Sequence, residues 1–165
     1  MNILILKKLI ENIDVNAIAI NVEVKNWEEA VKIAGEILYN LGKVSHEYIE
    51  GMIKTTKRLG PYAVIAPGIA LPHARPENGA LELGISIVVL RSPIDFDSPN
   101  DPVKVIIAFS APTKSEHLEL LKEIGRLLST TTLQKKLKHA KTPNDVISAF
   151  KETIANYEVI NNANY

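Results

Sequence analysis

Two segments of this chain, Leu83 to Leu90 and Val103 to Phe109, are almost unbroken apolar runs. A strand with one face in water alternates polar and apolar side chains. A run that stays apolar at nearly every position marks a strand covered on both faces. Such strands need helices above and below them, and the flanking sequence supplies helices. Along the chain the order is helices, then strands, then helices again. It predicts a single-domain α/β sandwich with a mixed β-sheet flanked by helices on both faces.

Leu4 to Ile13 reads as an amphipathic helix, which makes residues 1–16 a helical segment packed on the domain. Ile18 to Val22 reads as a short strand. Asn26 is placed as an N-cap, with Glu29 completing a capping box. Trp27, Ala30, Val31, Ala34, Ile37, Leu38 and Leu41 then recur at helical spacing, and Gly42 takes the C′ position. Another helix starts at Ser45, carries Tyr48, Ile49, Met52 and Ile53 on one face, and ends at Gly60-Pro61. Tyr62 to Ile65 is strand-like. Ala66-Pro67-Gly68-Ile69 has the chemistry of a type II turn, Ile69 to Leu71 is extended again, and His73 to Gly79 must be loop. Ser92-Pro93 and Ser98 to Pro102 are turn-rich. A long helix is expected from about Ser115, carrying Leu118, Leu121, Ile124, Leu127 and Leu128. A short one covers Leu133 to His139, and a last one starts at Thr142 with Pro143 at N1. The domain is expected to span 1–156, with a frayed, Asn-rich tail at 157–165.

Charge and composition exclude several functions. The chain has 19 basic and 19 acidic side chains and no basic block, which argues against a general grip on nucleic acid. It has no cysteine, so disulfide frameworks, thiolate nucleophiles and Cys-based zinc sites are out. The apolar start is too short for a signal peptide, its lysines follow rather than precede it, and no cleavage site appears. No stretch of roughly 18 apolar residues is present, so no membrane insertion is expected.

The informative stretch is Gly60 to Pro76. It presents a histidine at the end of a buried extended segment, on a stiff mount. Pro72 fixes its own φ and keeps Leu71 extended; Pro76 stiffens the exit. Ala70 and Ala74 leave room for a group to approach. A histidine held this way suits nucleophilic work: one ring nitrogen attacks while the other carries the proton and is held by an acceptor. If phosphorus is the target, the incoming charge needs a cation, and Arg75, two residues on, is the nearest. His117 falls in the first turn of the helix near Ser115, where backbone N–H groups and the helix dipole favour an anion. His46 and His139 sit at helix edges and read as structural.

Ile69-Ala70-Leu71-Pro72-His73-Ala74 resembles the active-site signature of the fructose–mannitol class of phosphotransferase-system enzyme IIA. The fuller set (Gly60-Pro61-Tyr62, Val64 to Gly68, Arg75-Pro76-Glu77 and Asn100-Asp101-Pro102-Val103) is closer to the ascorbate-type branch. The likeness runs from about Trp27 to Phe150. It implies a cytoplasmic phosphotransferase subunit without cofactor. His73 would take a phosphoryl group from phospho-HPr and pass it to enzyme IIB, with membrane enzyme IIC reached only indirectly, for ascorbate or a related sugar. His117 matches the second histidine of the family. Mannitol-type relatives carry an arginine on the preceding helix where Thr55 stands here, so Arg75 and then Arg58 are the candidates for neutralising phosphate. The lack of cysteine and of membrane spans fits the IIA step rather than IIB or IIC. An apolar rim of Ile69, Leu71 and the Ala111-Pro112-Thr113 loop is expected to receive both partners. Two other readings are weighed: a regulatory, nitrogen-type enzyme IIA-like module that docks according to phosphorylation state, and a metallohydrolase with His73 and His117 on zinc. The second lacks an i, i+4 histidine pair and a third ligand, so no metal site is expected.

Overall fold

The two apolar runs lie at the middle of one sheet in the computed structural model, which describes residues 3–163. Strands β4 (Gly84–Ile94) and β5 (Val103–Ser110) pair antiparallel, with Ile85 opposite Phe109 and Val89 opposite Val105. Strand β1 (Ile18–Val22) adds parallel to β4. A tight hairpin of β2 (Val64–Ala66) and β3 (Ile69–Ala70) adds through β3, parallel to β5. The order β1-β4-β5-β3-β2 is the mixed sheet that the sequence predicts.

Strand periodicity sorts the runs into two cores. Ile85, Ile87, Val89, Val105, Ile107 and Phe109 pack with residues of α1 (Leu4–Glu11), α4 (Lys114–Leu128), α5 (Thr131–Lys138) and α6 (Pro143–Ala163). Val88, Leu90, Ile106 and Ala108 pack with α2 (Trp27–Asn40) and α3 (His46–Leu59). Ser86, a polar residue in the second layer, donates its hydroxyl to the Ala34 carbonyl at 2.8 Å and so is satisfied. Among the described residues no helix is long and apolar enough to cross a membrane.

Local chemistry explains the boundaries. Gly42 has φ +74°, and the N–H groups of Gly42 and Lys43 reach back to the carbonyls of Tyr39 and Leu38, which closes α2 in a Schellman motif. Asn26 caps the same helix by accepting from the Glu29 N–H. Glu29 in turn accepts from Lys25 rather than from Asn26, one residue off the expected box. Buried Glu123 of α4 accepts the Leu6 N–H at 2.9 Å, which supplies α1 with a carboxylate at its positive end.

Several expectations shift. Helix α1 stops at Glu11, short of Ile13. Tyr62 and Ala63 belong to a 3-10 turn, Gly60–Ala63, because Pro61 favours a turn over an extended entry. Strand β4 passes through Ser92-Pro93 to Ile94, with a register slip after Val89 where a proline needs no ladder donor. Helix α4 starts at Lys114, one residue before Ser115, behind an N-cap at Thr113. Leu118 lies on its outer side, 46% exposed, while Leu120 takes the core position. Helix α6 continues to Ala163, so the segment after Tyr157 that was expected to fray is helical as far as it is described.

Candidate active site

The β2–β3 hairpin is the mount for His73. Its turn places Gly68 at φ +75°, a conformation that other residues adopt only with strain. The hairpin is pinned from outside by the Asn100-Asp101-Pro102 segment. The Gly68 N–H donates to the Asn100 carbonyl at 2.9 Å, and the Asn100 side-chain amide donates to the Val64 carbonyl at 3.1 Å. Asp101 accepts the N–H groups of Phe96 and Ser98 and so folds that segment. Past β3, the Leu71 N–H returns to the Ala63 carbonyl at 2.9 Å, which fixes the chain just before Pro72 and His73.

His73 is half-buried, and its Nδ1 lies 2.9 Å from the Leu71 carbonyl oxygen. A carbonyl can only accept, so this bond assigns the proton to Nδ1 and leaves the lone pair on Nε2. The His73 ring stacks on Phe109, with centroids 5.4 Å apart, and lies 5.5 Å from His117. Phe109 and His117 are in turn 5.2 Å apart. Burial pushes the His73 pKa below the ordinary histidine value, partly opposed by the Leu71 bond. His117 is also pushed down, by burial first and by His73 second, with Glu77 pulling the other way. Two cations side by side in this setting would repel and lose hydration, so the pair is neutral at physiological pH.

Helix α4 brings His117 here, as expected, but its N-terminus is less open than the sequence suggests. Thr113 Oγ1 accepts the Glu116 N–H at 3.1 Å, and the Thr113 carbonyl takes the His117 N–H at 2.9 Å. Among the described residues, the N–H groups of Lys114 and Ser115 have no such partner. Among the described residues, buried His117 Nδ1 has no hydrogen-bond partner.

The other candidates separate. Pro112 is exposed beside the α4 start. Ile69 and Leu71 are 0% and 1% exposed, packed in the core with α4 to α6, and so cannot form the expected rim. Ile69 pairs with Val105, and both point into that layer, so the apolar residues of the signature are core rather than rim. The exposed apolar group next to His117 is instead Leu118. Arg75 and Arg58 are both exposed, and among the described residues no hydrogen bond joins either side chain to His73 or His117. Arg75 is fixed by its backbone N–H, which donates to Asn78 Oδ1 at 3.2 Å. Thr55 is 9% exposed on α3. His46 packs edge-on against Tyr39, and His139 Nδ1 lies on the Lys135 carbonyl, away from the pair. Among the described residues no cluster of three or more metal-ligating side chains surrounds His73 and His117. Phe109 escaped the sequence reading. Its only signal is parity, since the last aromatic of the second run faces the α4 layer.

Residues 11–153 match the family model described as phosphoenolpyruvate-dependent sugar phosphotransferase system, EIIA 2. The ascorbate-specific PTS system EIIA component of Salmonella choleraesuis (strain SC-B67) is 34% identical over 142 residues, which cover 85% of this chain and 92% of that protein. The solution structure of the mannitol-specific cryptic phosphotransferase enzyme IIA from Escherichia coli superposes with a TM-score of 0.73 at 30% identity, covering 81% of this chain and 91% of that one. The Escherichia coli mannitol enzyme IIA, solved in complex with phosphorylated enzyme IIB, gives a TM-score of 0.74 at 22% identity over 86% of this chain and 98% of that one, a likeness of fold.

Proposed function

Because the chain belongs to the EIIA 2 family of the phosphoenolpyruvate-dependent sugar phosphotransferase system, we propose that it is a phosphocarrier whose acceptor atom is His73 Nε2. In this reading phospho-HPr is the donor, enzyme IIB the acceptor, the transported compound ascorbate or a related sugar, and the location cytoplasmic. The relatives at about a third identity favour that substrate class.

The observation that carries the reading is the 2.9 Å bond from Nδ1 to the Leu71 carbonyl. It frees the Nε2 lone pair to attack phosphorus. A new P–N bond forms as the donor's P–N bond breaks, and the donor imidazole leaves with the electron pair. The His73 ring gains positive character as it takes the phosphoryl group. Its Nδ1–H then binds the Leu71 carbonyl more strongly, so the bond helps most where charge has developed. Passage to enzyme IIB is the same displacement with His73 as leaving group. A pKa held low keeps the nucleophile unprotonated.

His117 serves as a neutral donor. With Nδ1 enclosed and unpartnered, the ring proton belongs on Nε2, where it can bond a phosphoryl oxygen. Arg75, and after it Arg58, supplies the cation. Both are exposed and, among the described residues, free of ion pairs, so their long stems can swing toward the incoming charge. Pro112 and Leu118 form the apolar part of the partner surface.

Incubation with phosphoenolpyruvate, enzyme I and HPr tests this. An acid-labile, base-stable label is expected in the wild type and absent from His73→Ala. Its onward passage to an enzyme IIB distinguishes a transport subunit from a regulatory module. A fully labelled His73→Ala protein would refute the assignment.

A further inference from the structure

Tyr48, in the first turn of α3, is among the largest fully buried side chains, at 0% exposure. A buried phenol must find partners for its hydroxyl. Here the oxygen lies 2.8 Å from the Phe109 carbonyl and 3.2 Å from the Ala74 carbonyl, and the Ala74 N–H donates to it at 3.3 Å. A hydroxyl has one hydrogen to give, and the nearer carbonyl, that of Phe109, receives it. Its lone pair meets the Ala74 N–H. One oxygen thus joins the residue that follows His73 to the residue whose ring stacks on His73.

Helix α3 is shaped to come this close. A Cβ added at Gly51, on the same face one turn along, would lie 3.2 Å from Ala74 Cβ and 3.0 Å from Asn78 Cβ. Burial also raises the Tyr48 phenol to about 12, so the hydroxyl keeps its proton across the physiological range.

We infer that Tyr48 is a positioning residue for His73: its hydroxyl fixes the His73 loop against the end of β5, which holds Nδ1 on the Leu71 carbonyl and presents Nε2 outward. The inference rests on His73 being the phosphoryl acceptor. A tyrosine that merely filled the core would affect stability but neither the tautomer nor the turnover of a folded variant.

Tyr48→Phe keeps the ring and removes the hydroxyl. Imidazole 15N shifts, read without any phosphoryl donor, are expected to show a single Nδ1–H tautomer for His73 in the wild type and a mixture in the variant. With phospho-HPr as substrate, kcat should fall about tenfold while KM stays within about twofold, as for a loss of orientation rather than of binding. A folded variant with the wild-type tautomer, or with the wild-type kcat, overturns the inference. If Tyr48→Phe does not fold, the wild type decides. A slowly exchanging Tyr48 hydroxyl proton with a cross-peak to the Ala74 amide is expected, and its absence overturns the clamp. A wild type that takes no label from phospho-HPr sinks the phosphocarrier reading, whereas the tautomer experiment still decides whether Tyr48 sets the ring.

Discussion

The β2–β3 hairpin has two ends that are built alike and finished differently. At its turn, Pro67-Gly68 meets Asn100-Asp101-Pro102, and the polar groups there are tied. Asn100 bonds Val64 of β2 and Gly68 of the turn, and Asp101 accepts from Phe96 and Ser98. At its exit, Pro72-His73 meets the start of α4, and groups are left open. Among the described residues His73 Nε2 has no hydrogen-bond partner, His117 Nδ1 is enclosed without one, and Leu118 is exposed. Among the described residues neither His73 Nε2 nor His117 Nε2 has a hydrogen-bond partner, so the open end is where the molecule holds bonding capacity in reserve for something not of its own chain. The tied end makes that possible, because a short hairpin alone could not hold the mount still.

The contrast can be broken in order of expected size. Leu71 lies at the open end, just before Pro72 and His73, with its side chain in the core. Leu71→Asp should therefore destabilise the protein by about 4 kcal/mol or more, since an unpaired carboxylate enters an apolar layer. Chemical denaturation reads this. A folded variant of near-wild-type stability would put Leu71 back on the rim. Asp101→Ala should cost about 2 kcal/mol by stranding two backbone donors. Phosphoryl acceptance by its folded fraction should stay within about twofold. A larger loss of rate with unchanged stability would mean that the tied end takes part in the chemistry.

The smallest effect is that of pH. Both site imidazoles are held below the ordinary histidine value by burial. As pH falls past about 6.5, the unfolded chain takes up protons on these groups before the folded chain does. Stability contributed at these positions is therefore present above that value and is lost as pH falls through the folded-state pKa values. Phosphoryl acceptance should persist below pH 6.5, where an ordinary histidine would already be mostly protonated. A rate that halves near 6.5 would show His73 to be unperturbed.

The fold was legible because periodicity is a local property. The two apolar runs predict the buried pair β4 and β5, and Gly42 and Pro143 mark real helix ends. His73 and His117 were legible as candidates, and the structure brings their rings within 5.5 Å. What failed depended on direction in space. Ile69 and Leu71 adjoin the His73 loop, but β3 lies between β5 and β2 with both faces covered, so Ile69, Ala70 and Leu71 are all buried. Leu118 looked like core because it lies three residues from Leu121, but the buried face of α4 runs through Leu120, Ile124, Leu127 and Leu128 and leaves Leu118 on the outer side. Tyr48 carries no local signal for the site and Phe109 only its strand parity, since their roles arise only when α3 and the end of β5 converge on Ala74.

Whether a phosphoryl group settles on an imidazole nitrogen, and on which one, is the most direct question that can be put to this protein. The 15N and 31P spectra of histidine-labelled protein, phosphorylated through HPr, are predicted to place it on Nε2 of His73, with Nδ1 still protonated on the Leu71 carbonyl. A phosphoryl group on Nδ1 of His73, or on any other residue, would contradict the account.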